Sequence, residues 1–90
     1  MDKVTLLSLS NDLKRIVTAI QRNSNENSLR FTKEAIHWLE ESQAYSQDGY
    51  LTALLEKIRV VLGRKDSLEK AEDCLMYSVL VHNQALFAIK

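Results

Sequence analysis

Residues 66–90 read DSLEKAEDCLMYSVLVHNQALFAIK, a stretch with neither glycine nor proline to interrupt a helix. Asp66 and Glu69 have the spacing of a capping box, with Asp in place of the usual Ser or Thr, so a helix is predicted from there to the end of the chain. Its main apolar stripe is Leu68, Ala71, Leu75, Val79, His82, Leu86 and Ile89. Met76, Leu80 and Phe87 form a second stripe about a quarter-turn or more away. A helix that is apolar on more than one face is expected to be buried on more than one face.

Working back from this segment, Gly63 punctuates the end of a shorter helix that carries Leu51, Leu54, Leu55, Ile58 and Leu62 on one stripe. Asp48 is a candidate cap for it, and Gly49 marks its start as a breaker. Before that, a helix is predicted over residues 33–46, with Thr32 as N-cap and Phe31 packing on Ile36 as a hydrophobic staple. Phe31, Ala35, Trp38, Leu39 and Tyr45 share one side of it, and Lys33, His37 and Glu41 the other. Residues 23–28 are polar throughout and read as a loop. The first helix is predicted over residues 3–22. There Leu6, Leu9, Leu13, Ile16 and Ile20 alternate spacings of three and four, and Val17 widens the stripe. At ~1.5–3 kcal/mol per buried aliphatic, that face contributes roughly 9–18 kcal/mol before chain entropy is subtracted.

The expected fold is therefore all-α: a four-helix up-down-up-down bundle with a long C-terminal helix, residues 1–90 forming a single domain. At 1.5 Å per residue the last helix would reach about 35 Å and the third only about 20 Å. Leu86, Phe87 and Ile89 would outrun that neighbour, to be covered by the first helix or by a second subunit. The second stripe favours a homodimer. A chain of 90 residues buries only about 60–65% of its unfolded surface, so association would help it.

Composition narrows the function classes. Lys plus Arg and Asp plus Glu both total 12, and each half of the chain carries both signs equally, without the basic excess usual in nucleic-acid binders. Cys74 is the only cysteine, which suits a reducing cytosol. The apolar run Val4–Leu9 is too short for a secretion signal, and no run approaches the ~18 apolar residues of a membrane span. A cytoplasmic location without membrane contact is expected.

Several motifs invite chemistry. Glu34-Ala-Ile-His37 has the Glu-x-x-His spacing of di-iron bundles, but those need two such motifs, and here the residue three before His82 is Val79. In the plain reading Glu34 favours a positive helix N-terminus and His37 is solvated. His37 as a phosphoacceptor would resemble helical histidine phosphotransfer domains in architecture only, because Trp38, Leu39, Glu40 and Glu41 follow it and carboxylates repel phosphate. His82 falls on the core stripe with Ser78 as a candidate hydrogen-bond partner. Cys74 lies two turns away, about 12 Å, too far for Cys–His chemistry. Arg59, Arg64 and Lys65 precede the last helix as in a helix-turn-helix, yet Asp66, Glu69, Glu72 and Asp73 give its opening turns the wrong sign for DNA. The two glycines cannot build a phosphate-binding loop.

No catalytic, cofactor-binding or metal-binding residue is assigned, and no cofactor is expected. The expected function is that of a small non-catalytic protein–protein interaction module (adaptor, regulator or accessory subunit), acting through helix faces as a homodimer or with another protein. Its candidate interface is Met76, Tyr77, Leu80, Val81 and Phe87. Trp38 and Tyr45 are further aromatic anchors. The alternatives are a nucleic-acid-binding transcriptional regulator and, behind it, a metal-binding helical-bundle enzyme.

Overall fold

The first helix, α1 (Lys3–Gln21), buries Leu6, Leu9, Leu13, Ile16, Val17 and Ile20, the stripe expected of it. The computed structural model describes residues 3–45 and 49–87, which hold three further helices and no strand: α2 (Asn25–Tyr45), α3 (Gly49–Leu62) and α4 (Leu68–Phe87). Around the bundle α1 packs between α2 and α4, and α3 closes the ring against the same two. Ser10 of α1 bonds to Ser78 of α4, whereas Val17 and Gln21 share a groove with Leu68 and Ala71. Low numbers on α1 thus meet high numbers on α4, and the two run antiparallel. The topology is up-down-up-down, in a body of 39 × 19 × 19 Å. With 20 residues α4 outruns the 14 of α3, but α2 has 21. Asp48 and Ile89 lie outside the described residues.

The second helix begins eight residues earlier than predicted, at Asn25. Asn23 takes a left-handed φ of 54°. Its N–H donates to the Ile20 carbonyl at 3.0 Å, and the Ser24 N–H donates to that of Ala19 at 2.8 Å. This pair of bonds is a Schellman closure of α1, with Asn at the position usually held by Gly. Ser24 then starts α2 at once, its carbonyl accepting from the Ser28 N–H at 3.0 Å. The polar run of residues 23–28 is a tight corner followed by helix, and Thr32 is buried inside α2 rather than capping it. Glu34 therefore lies well away from the helix N-terminus. Neither glycine has positive φ; Gly49 is the first residue of α3 and Gly63 follows its last.

At the other end, Ser67 rather than Asp66 caps α4: its Oγ accepts from the Lys70 N–H at 3.0 Å. Asp66 is one residue too early to cap and instead ties the corner together. Its Oδ1 accepts from Ser28 Oγ at 2.9 Å and from Lys70 Nζ at 3.2 Å, while Lys70 Nζ also donates to the Arg64 carbonyl at 2.9 Å. These partners allow the lysine ammonium to be buried, since a buried charge needs pairing and hydrogen bonds.

The rotation of α4 departs most from expectation. Its inner face is Ala71, Cys74, Ser78, Val81 and Ala85, and the predicted core residues Leu68, Leu75, Val79 and Leu86 are exposed. The physical reason lies in side-chain size. Small residues let the α4 backbone approach α1 closely enough for Ser10 Oγ to donate to the Ser78 carbonyl at 2.8 Å. Large residues at those positions would hold the helices at the usual 8–10 Å spacing or beyond. The leucines of α3 (Leu51, Leu54, Leu55, Leu62) and Ile58 fill the opposite side of the core.

Candidate functional site

Because α4 turns its small residues inward, its large ones face out. Leu68, Leu75, Met76, Val79, Leu86 and Phe87 are each between 48 and 73% exposed. At on the order of 100 Å² apiece they present roughly 600 Å² of largely apolar surface, the upper end of what a monomer ordinarily shows. From Cys74 to Phe87 the sequence contains no Asp, Glu, Lys or Arg. The last four turns of α4 thus carry no formal charge on any side, outer face included. Solvated helix faces are normally charged or polar.

The spacing along this face is ordered. Leu68, Glu72, Leu75, Val79, His82 and Leu86 follow one another in steps of four, three, four, three and four, so the face carries one charge, Glu72, near its start and none from Leu75 onward. That alternation forms a straight seam along a helix and is the pattern into which a second helix packs at a shallow crossing angle. Of the main stripe predicted from sequence, Leu68, Leu75, Val79 and Leu86 therefore face outward, His82 is half-buried, and Ala71 belongs to the intrachain core as expected.

Of the predicted interface residues, Met76 and Phe87 are exposed, while Tyr77 and Leu80 are half-buried and packed against the core cluster. Val81 is fully buried. It belongs to the intrachain core and presents no atom at the surface, because it lies on the same turn face as Cys74 and Ser78. Trp38 packs partly against the core, and Tyr45 stands 66% exposed at the end of α2.

His37 is exposed, edge-on to Trp38 at 4.8 Å, in an open hollow with Glu40 and Glu41. Among the described residues no group of three or more His, Cys, Asp or Glu side chains is placed to hold a metal ion. His82 is half-buried. Its expected partner Ser78 is engaged elsewhere, the hydroxyl donating to the Leu75 carbonyl at 2.6 Å. Burial pushes the Cys74 thiol up to about 11, against a smaller opposing pull from the Lys70 ammonium. So high a pKa leaves almost no thiolate at neutral pH.

The basic residues before α4 are largely engaged within the chain. Arg59 donates to Gln43 Oε1 at 2.5 Å, and Arg64 pairs with Asp73 at 3.0 Å. One carboxylate that the sequence reading passed over is Asp12, only 2% exposed although it bears a charge. Its Oδ1 accepts from Arg15 Nη1 at 3.1 Å and its Oδ2 has no hydrogen-bond partner. Burial raises its pKa above the ordinary 3.8, and the nearby charge of Glu34 adds to the rise. The hydrogen bond and charge of Arg15 pull the other way.

No helix among the described residues is long and apolar enough to cross a membrane. Comparison of the chain with protein-family models, curated proteins and solved structures returns no match to any of them.

Proposed function

We propose that the protein is a small non-catalytic interaction module that works through the outer face of α4, and that the first partner of this face is a second copy of the chain. The observation carrying this reading is the seam of Leu75, Val79, His82 and Leu86, which follows exposed Glu72 and is itself uncharged, on a helix whose inner face is already packed. An uncharged seam is matched by another uncharged seam, and α4 itself provides one in a two-fold, self-complementary pairing. The roughly 600 Å² of exposed apolar side chain approaches the ~800 Å² per partner of a standard interface, and rim residues supply the rest. The lone buried thiol suits a reducing compartment, so the working location is the cytoplasm. An adaptor, regulator or accessory subunit fits such a dimer, whose remaining surfaces, including Tyr45, stay open to other proteins.

The test is the double variant Leu75→Glu/Val79→Glu, compared with the wild type by sedimentation velocity. Both positions are exposed, so helix content and the cooperative unfolding of the single chain should be retained. The wild type should sediment as a dimer and the variant as a monomer. Equal sedimentation of the two would refute the reading.

A further inference from the structure

A second surface, on the far side of α1, has the opposite character. Between α1 and the first turns of α2 lies an open cleft of about 390 Å³ bordered by Lys14, Arg15 and Arg22, with Phe31 on the α2 side and no carboxylate in its lining. Lys14, Thr18 and Arg22 follow one another at intervals of four residues, so their side chains project from one line of α1. In a chain of zero formal net charge, this concentration of one sign is local.

Arg15 is held in place from two directions. Asp12 receives its Nη1 from beneath at 3.1 Å, and its guanidinium carbon lies 5.6 Å from the centroid of the Phe31 ring. Arg30 lies over the same ring at 4.9 Å, within the range of a cation–π contact. Asp12 is only 2% exposed while Arg15 remains 55% exposed, so the arginine is anchored yet keeps its outer donors free. Among the described residues neither Lys14 nor Arg22 has a carboxylate partner.

We propose that this cleft binds a small phosphate monoester, the phosphate being gripped by Lys14, Arg15 and Arg22. Guanidinium forks match phosphate oxygens in pairs, and a dianion balances a cluster of cations better than a single carboxylate does. The amide of Asn27 borders the same cleft and adds a hydrogen-bond donor, whereas the Thr18 hydroxyl, which also lines it, donates to the Lys14 carbonyl at 3.3 Å. A volume of about 390 Å³ exceeds that of the bare anion and falls in the size range of small-ligand sites. Two guanidiniums already lie over Phe31, so the ring serves to position arginines rather than to stack a base. That favours an ester with an aliphatic organic part over a nucleic-acid strand. The site is independent of the α4 seam and stands whether or not the chain dimerises.

The test is a titration of the full chain with glycerol phosphate and, separately, inorganic phosphate, followed by amide chemical shifts at constant ionic strength with chloride as control. Saturating shifts confined to Lys14, Arg15, Thr18, Arg22, Asn27 and Phe31 are expected with both probes, tighter for the ester. Arg22→Gln, at an exposed position that leaves the fold intact, should weaken binding about tenfold, and Lys57→Gln on α3 should not change it. Shifts matched by chloride, or unchanged by Arg22→Gln, would overturn the proposal. So would binding of single-stranded nucleic acid through these residues with no response to either small phosphate.

Discussion

The hydroxyl of Ser10 donates a 2.8 Å hydrogen bond to the main-chain carbonyl of Ser78 in the buried contact between α1 and α4. Only a short side chain on α1 meeting a closely approached backbone on α4 permits that bond. It therefore records both the spacing of the two helices and the rotation of α4. Ser10→Ala should lower unfolding free energy by about 0.5–1.5 kcal/mol. Ser78→Leu, which forces a large side chain into a fully buried contact, should cost about 1–3 kcal/mol. Urea denaturation monitored by circular dichroism checks both, and no loss in Ser78→Leu would mean that the α1–α4 contact is looser than described.

Asn23 holds the left-handed corner between α1 and α2 at φ 54°. Asn23→Gly should keep or raise stability, and Asn23→Val should lower it by at least about 1 kcal/mol, because a branched side chain clashes in that conformation. Thermal unfolding of the two variants should place them on opposite sides of the wild type or leave Gly level with it. Equal melting of Gly and Val variants would contradict the corner.

How far this architecture is legible in the sequence depends on side-chain size. α1 and α3 were readable because their core faces are leucines and isoleucines at helical spacing, and Leu13, Ile16, Leu55 and Ile58 are indeed fully buried. Most of the inner face of α4 escaped because Cys74, Ser78 and Ala85 weigh little in any hydrophobic pattern, whereas the larger Leu75, Val79 and Leu86 weigh much; of the inner residues only Ala71 lay on the predicted stripe. Pattern alone registers that such a helix has two apolar sides, but close approach decides which side is intrachain. The early start of α2 carried a local signal in Asn23-Ser24, a left-handed residue followed by a helix-starting one, obscured by the polarity of the turns that follow. The cationic cleft assembles α1 and α2 residues whose meeting depends on that early start, so a loop over residues 23–28 hid it.

Asp12 gives the protein a pH signature of definite sign. Its folded pKa lies above the ordinary 3.8, so the folded chain binds the proton more tightly than the unfolded chain. Between those two values, stability contributed by this group rises as pH falls and is lost as pH rises through the folded pKa. Asp12→Asn removes the titration. The difference in unfolding free energy between wild type and variant should therefore shift in favour of the wild type on acidification across that window. A pH-independent difference would show that Asp12 titrates normally.

Cys74 is fully buried, with its thiol pushed up to about 11. A water-soluble disulfide reagent at neutral pH should label the native protein at the slow rate of its opening and label the urea-unfolded chain promptly. Prompt labelling of the native protein would place the thiol at the surface and contradict the packing of α4 on α1.

The central claim, that α4 keeps an uncharged outer seam for a second copy of the chain, is tested most directly by its solution mass. Light scattering over a range of concentrations should give a mass near twice 10.3 kDa, declining towards the single-chain value on dilution. A mass of 10.3 kDa at every concentration would contradict it.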